Sequence, residues 1–267
     1  MQAKIKEPKS GKKSAVKNAF LNIMLVACLA VFLGAGWKLV SALIEYREGE
    51  ANYEAILDKV ITTAVVRDEE SQEALPIPVI DWAALKEMND DLVGWLYIPD
   101  TKIQYPIVQG SDNDYYLTHT FDKTKNACGA IFMDAANQSD YNSDNTVLHG
   151  HNMKNGTMFG SLRKFEKKEY WESHPFIWII KEDTAAKYEI FSVSITEAAS
   201  DVYTLEFGSE DSFNNYIAKR TKIDAIYNTG VSVTADDKLL TLSTCTSDTE
   251  TGRRVVQAKL VDEKVIH

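Results

Sequence analysis

At 267 residues, with 45% hydrophobic and 25% charged side chains, the chain has the composition of a folded protein, not of a disordered or low-complexity one. Its net charge of −10 is split unevenly: residues 1–37 carry six lysines against one glutamate, while the remainder holds 23 basic and 38 acidic residues. An acidic body of that kind repels phosphate backbones, which argues against nucleic-acid binding. No internal repeat is present.

The first element is an uncharged apolar run, Asn18 to Trp37, "NAFLNIMLVACLAVFLGAGW". At 1.5 Å per residue it reaches roughly 30 Å, the thickness of a bilayer core. Lysines before it favour a cytoplasmic N-terminus, and Trp37 stands where an interfacial aromatic belongs. A cleaved signal peptide is the competing reading, since Gly34-Ala35-Gly36 supplies small residues at its end. The length of the run and the helical pattern that continues it favour an uncleaved anchor; under either reading the acidic body is exported.

Residues 38–66 read as helix, with apolar positions at mixed three and four spacing (Leu43, Tyr46, Tyr53, Ile56, Leu57, Val60, Ile61). Arg67 to Pro78 reads as a polar, proline-bearing linker, and "DWAALKEMND" as a short helix capped by Asp81. The expected organisation is a basic tail over 1–17, an anchor over 18–37, a helical stalk and linker over 38–78 and one domain over 79–267.

That domain reads as short strands separated by turn residues: "GWLYIP", "IQYPIVQ", "GAIFMD", "NTVLHGH", "PFIWIIK", "AKYEIFSVSIT", "KLLTLSTC" and "RVVQAKLV". Two helical insertions interrupt them, "GSLRKFEKKEYWESH" and "SEDSFNNYIAKRT". Many short strands with few helices predict a mainly β fold, a closed eight-stranded barrel.

The chemistry-bearing residues are few. Of three cysteines, Cys28 lies in the apolar run and Cys128 reads as a small hydrophobe entering a buried strand. Cys245, ending "TLSTC", is a lone thiol in an exported domain. A thiol needs a base or counter-cation, so the histidines matter. His267 is terminal, His174 reads as a solvated helix cap, and His119 is ambiguous. His149 and His151 bracket Gly150 where a strand passes into a Gly- and Asn-rich loop, a common placement for catalytic side chains. Spaced by two on a strand they share a face. That also permits a metal site completed by His119 or Cys245, although no acidic or cysteine cluster sits at ligand spacing nearby. Arg253 and Arg254 open the last strand, and alternation sends them to opposite faces, one toward a site and the other toward solvent.

The order Gly150-His151, then "TLSTC", then an arginine opening the next strand resembles the signature of the sortases. The helix before the barrel and the second insertion resemble class B members. The match runs from the apolar run through "GWLYIPDTKIQYPIVQGSDNDYYL" and "LHGHNMKNGTMFGSL" to the C-terminus. The resemblance implies Cys245 as nucleophile, His151 as acid and base, and Arg253, five positions before Ala258, as the oxyanion-stabilising arginine. It implies Asn113, Leu117 and Tyr203 as lining a sorting-signal groove, with Ser243 and Thr244 beside the nucleophile. His149 stands where class B members often carry tyrosine, and either packs on substrate or adds a titratable charge. The implied function is transpeptidation. A C-terminal sorting motif of another exported protein is cleaved after threonine, and its acyl group passes through a thioester to a peptidoglycan amine. No metal or organic cofactor is implied. A membrane-anchored cysteine peptidase and a non-enzymatic surface β-domain are the rival readings.

Overall fold

Tyr53, Ile56 and Val60 recur at helical spacing and are buried, which fixes one face of a helix against the rest of the chain. The computed structural model describes residues 11–62, 66–71, 74–246 and 251–266. Helix α1 runs Gly11–Val60, and two units divide the chain, Met1–Glu48 and Gly49–His267. In the first, the apolar side chains of α1 (Phe20, Leu25, Val31, Phe32, Trp37) are exposed. Over Phe20–Val60 this helix is long and apolar enough to cross a membrane, with a mean hydropathy of 2.2 in its best window.

In the second unit, α1 ends at Val60 and not at residue 66 as its apolar spacing predicts. The sequence there turns to β-branched residues, "VITT", which crowd a helix and favour extended backbone. Ile61–Thr62 (β1) duly pairs antiparallel with Val79–Ile80 (β2). The segment read as a linker is held: Asp68, Leu75 and Ile77 are buried, and Asp68 bridges to Ile266 and ion-pairs with Lys264. Helix α2, Trp82–Met88, has the expected Asp81 cap, whose carboxylate accepts from the Ala84 amide at 2.9 Å.

The eight strands expected from the sequence are all present: β3 Leu92–Tyr97, β4 Gln104–Val108, β5 Ile131–Met133, β6 Asn145–His149, β7 Phe176–Ile180, β8 Thr184–Glu197, β9 Leu239–Cys245 and β10 Gly252–Val265. They close into a barrel in the order β10-β8-β7-β3-β4-β5-β6-β9. Neighbours are antiparallel except β4–β5 and β6–β9, which are parallel. The insertions differ in kind. The first is a 3-10 turn over Gly160–Glu166 followed by a short helix α3, Lys168–Ser173; the second is a regular helix α4, Glu210–Lys222, capped by Ser209.

Strand alternation gives β9 and β10 two faces. Leu240, Leu242, Val256 and Ala258 share one and are fully buried, as expected for a barrel interior. The other carries Thr241, Ser243 and Gln257, and α4 covers part of it with Phe213, Tyr216 and Ile217, which cluster with Phe191 and Leu239. Because this outer layer contains polar groups, each needs a partner. Asn145, fully buried, donates from Nδ2 to the carbonyls of Val202 (3.2 Å) and Thr204 (2.9 Å) and accepts from the Thr241 hydroxyl (2.8 Å). It thereby ties the 3-10 turn Asp201–Tyr203 to the barrel.

Replacing Asn145 removes the side-chain donor to the Thr204 carbonyl and the acceptor of the Thr241 hydroxyl in a buried layer, and leaves the Val202 carbonyl with the Tyr216 hydroxyl alone. Asn145→Ala is expected to destabilise the protein by about 3 kcal/mol. Chemical denaturation, with the slope compared to that of wild type, measures it.

Candidate active site

Backbone register sets the site. In the β9–β10 ladder Cys245 lies opposite Arg253, and in the parallel β6–β9 ladder His149 lies opposite Ser243. Directly opposed residues project from the same face of a sheet. Cys245 and Arg253 therefore share the outer face, and Arg254 takes the inner one. Arg254 does not face solvent, contrary to the sequence expectation. It is 6% exposed and ion-pairs with Glu166, the last residue of the 3-10 turn over Gly160–Glu166. A buried guanidinium is tolerable only with such a partner.

A cavity of about 380 Å³ opens on the outer face. All nine residues singled out from the sequence line it: Cys245, His151, Arg253, Asn113, Leu117, Ser243, Thr244, Tyr203 and His149. Cys245 is the last residue of β9 and is exposed, with no disulfide. Ser243 is buried, and its hydroxyl lies 2.7 Å from that of Tyr203. Burial raises the Tyr203 phenol above its ordinary range, so it stays protonated.

The strand carrying the histidines stops at His149, two residues earlier than expected. Gly150 still donates to the Ser243 carbonyl at 3.2 Å, and the chain then leaves the sheet. A Cβ at Gly150 would lie 2.5 Å from Ile131 Cδ1 and 2.8 Å from Phe159 Cδ2, which explains the glycine. His151 Nε2 lies 2.7 Å from the Leu117 carbonyl. A carbonyl oxygen only accepts, so this contact places a proton on Nε2 and leaves Nδ1 outside the bond.

His149 is committed differently. Its ring lies between Phe132, at 5.2 Å, and Tyr203, at 6.0 Å, with Nε2 at 3.1 Å from Asp134 Oδ2. Asp134 also accepts from Asn113 Nδ2 at 2.9 Å, and Asn113 Oδ1 in turn accepts from the Ala135 amide at 2.8 Å. The His149 ring first, then the Ala136 amide and other donors, outweigh burial and hold the Asp134 carboxyl below its usual range. His149, Asp134 and Asn113 thus form one wall of the cavity. Asp134 and Phe132 were not singled out from the sequence. Both lie in the predicted strand "GAIFMD", and only the β5–β6 pairing, which sets Phe132 against His149, shows that they face the site. Leu117 contributes to His151 through its carbonyl, which no side-chain pattern reveals.

The remaining histidines lie elsewhere. His119 stacks on Tyr115 at 4.1 Å with Nδ1 at 2.9 Å from the Tyr115 carbonyl. His174 caps α3 and stacks on Tyr170. His267 lies outside the described residues. Among those residues no group of three or more His, Cys, Asp or Glu side chains could hold a metal ion.

A thiol, an imidazole and a guanidinium thus line one trough of a closed eight-stranded barrel. The chain belongs to the sortase family: residues 96–261 match the Sortase domain. It is 36% identical over 253 residues to sortase B of Listeria monocytogenes, covering 92% of this chain and 98% of that protein. To sortase B of Staphylococcus aureus it is 29% identical over 244 residues, covering 91% and 97%. Among solved structures, sortase B from B. anthracis in complex with AAEK1 superposes with a TM-score of 0.67 at 34% identity, covering 82% of this chain and 99% of that one. The Staphylococcus aureus sortase B–substrate complex gives 0.63 at 31% identity, covering 68% and 84%. Within the family the chain is of the sortase B type, a cysteine transpeptidase.

Gly150→Ala forces a methyl into Ile131 and Phe159. It is expected to destabilise by about 2 kcal/mol and to displace His151 along with the strand end. Thermal unfolding reads the first effect, and the histidine ring chemical shifts read the second.

Proposed function

We propose that the protein is a membrane-anchored sortase B that joins exported proteins to peptidoglycan through a Cys245 thioester. The register that sets Cys245 against Arg253 on the face lined by His151 is the observation that carries this reading. Cys245 attacks the carbonyl that follows threonine in a C-terminal sorting motif. The oxyanion that forms is held chiefly by Arg253, because the Thr246 amide beside the nucleophile already donates to the Gly252 carbonyl at 2.9 Å. His151, protonated on both nitrogens, delivers the Nδ1 proton to the departing amine, leaving the thioester on Cys245. The neutral imidazole then takes a proton from the incoming cell-wall amine as that amine attacks. The tetrahedral intermediate collapses with expulsion of the thiolate, so atoms and protons balance over the cycle.

Asn113, Leu117, Tyr203 and His149 would hold the sorting peptide. The stacking of His149 between Phe132 and Tyr203 favours the packing role over that of a free charge. Ser243 would act through its bond to Tyr203. Thr244 lies opposite Arg254 and shares its inward face, so its main chain is what borders the peptide.

The apolar segment of α1 supports a single-pass anchor over 18–37, with residues 1–17 cytoplasmic and the barrel outside. Tethering raises the enzyme's effective concentration against substrates that carry their own membrane tails. The Staphylococcus aureus sortase B forms a complex with substrate, which supports substrate binding by this chain.

Peptide cleavage with and without an added amine separates transpeptidation from proteolysis: the product should change from acid to amide as acceptor rises, and an acceptor-indifferent product would favour a peptidase. In the same assay Cys245→Ala should abolish cleavage. Arg253→Ala should lower kcat by about 10²- to 10³-fold. Arg254→Ala should instead lower stability, by leaving Glu166 unpaired, while the folded fraction keeps its kcat.

A further inference from the structure

A second cavity, of about 170 Å³, lies between the last three turns of α1 and the barrel and is lined in part by Gly49, Tyr53, Leu57, Tyr105, Cys128 and Met158. It is separate from the trough that holds Cys245, yet its wall carries two buried tyrosines whose hydroxyls are both spent on backbone. Tyr53 Oη donates to the Gly129 carbonyl at 2.8 Å and accepts from the Phe121 amide at 3.3 Å. Tyr105 meets Tyr53 edge to face at 5.4 Å, and its own Oη accepts from the Met158 amide at 2.9 Å.

The backbone these phenols grip flanks His151 on both sides. Gly129 has φ +58, and a Cβ there would lie 2.5 Å from the Tyr116 carbonyl, 2.9 Å from the Leu117 carbonyl and 3.1 Å from His151 Cδ2. It is wedged between the turn that supplies the Leu117 acceptor and the imidazole that uses it. Ala130 fixes the same turn by donating to the Tyr116 carbonyl at 2.9 Å. On the other side Met158 precedes Phe159, whose amide donates to the His151 carbonyl at 3.0 Å. Burial raises the Tyr53 phenol well above its ordinary value, so it remains a donor throughout the working pH range.

We propose that Tyr53 is a positioning residue for His151: its hydroxyl holds Gly129 so that the Leu117 carbonyl meets His151 Nε2–H and leaves Nδ1 as the nitrogen outside that bond. This rests on the reading of His151 as the proton carrier, but the tautomer it specifies exists whether or not that reading holds. The helix that leads into the barrel is then part of the catalytic apparatus and not merely its stalk.

The test is the ¹⁵N spectrum of the full chain in detergent micelles, recorded at a pH high enough that the imidazole is neutral, with His151 assigned by comparison with His151→Gln, for wild type, Tyr53→Phe and Leu57→Ala. Tyr53→Phe keeps the ring and removes only the oxygen. It should move His151 from a pure Nε2–H form to a mixture of tautomers and lower kcat with KM unchanged, by about 5- to 10-fold, the rate equivalent of one neutral hydrogen bond. Leu57→Ala loosens the same helix without touching the hydroxyl and should lower the melting temperature while the tautomer stays fixed. A wild-type tautomer in Tyr53→Phe overturns the proposal, whatever happens to stability. An equal tautomer shift in Leu57→Ala also overturns it, assigning the effect to helix docking. A shift specific to Tyr53→Phe in a protein that fails to transfer peptide would retain the positioning role and remove the transpeptidase reading.

Discussion

The pairing of β9 with its two neighbours is the constraint on which the site depends. β9 runs parallel to β6 on one side and antiparallel to β10 on the other. The parallel ladder brings the C-terminal ends of β6 and β9 to the same end of the barrel, and the antiparallel ladder brings the start of β10 there as well. Cys245, Arg253 and the chain leaving β6 toward His151 are thus delivered by main-chain hydrogen bonds and not by contacts among themselves. A slip of one residue in the β9–β10 ladder would exchange Arg253 for Arg254 beside Cys245, and one in the β6–β9 ladder would turn Cys245 inward. The half-buried pair of Arg254 and Glu166 opposes the first slip, since the exchange would leave Glu166 without its guanidinium.

Behind the trough lies a polar layer. Gln257 donates to the Tyr216 hydroxyl (2.6 Å) and the Thr241 hydroxyl (3.1 Å), Thr241 donates to Asn145, and Tyr216 donates to the Val202 carbonyl (2.9 Å). Arg220, fully buried, reaches Asp201 at 2.6 Å and Asp224 at 3.0 Å. These contacts converge on the Asp201–Tyr203 turn, which carries the ring that stacks on His149 and the hydroxyl that meets Ser243. An apolar layer would bury as much area with less directional demand. A connected network specifies one position for the turn, and with it the width of the trough.

Much of this was legible in the sequence because it follows from local pattern. Alternation and turn residues mark all eight strands, Asp81 marks a helix start, and the motif residues mark the trough. What was not legible depends on partners distant in sequence. Arg254 opens the same strand as Arg253, and only Glu166, 88 positions away, explains why it points inward. The contacts of the segment before β2 were not legible, because polar, proline-bearing residues say nothing of a neighbour such as Lys264, which binds Asp68. Asp134 and the Leu117 carbonyl were missed for the same reason: one becomes visible only when β5 pairs with β6, and the other acts through main chain.

The most direct measurement is the chemistry at the sulfur. The full chain incubated with a sorting peptide and no amine, quenched in acid and digested, should yield one acylated peptide, carrying the adduct on Cys245 and losing it to hydroxylamine. Cleavage of the peptide with no adduct on Cys245, or an adduct that persists in Cys245→Ala, would contradict the account.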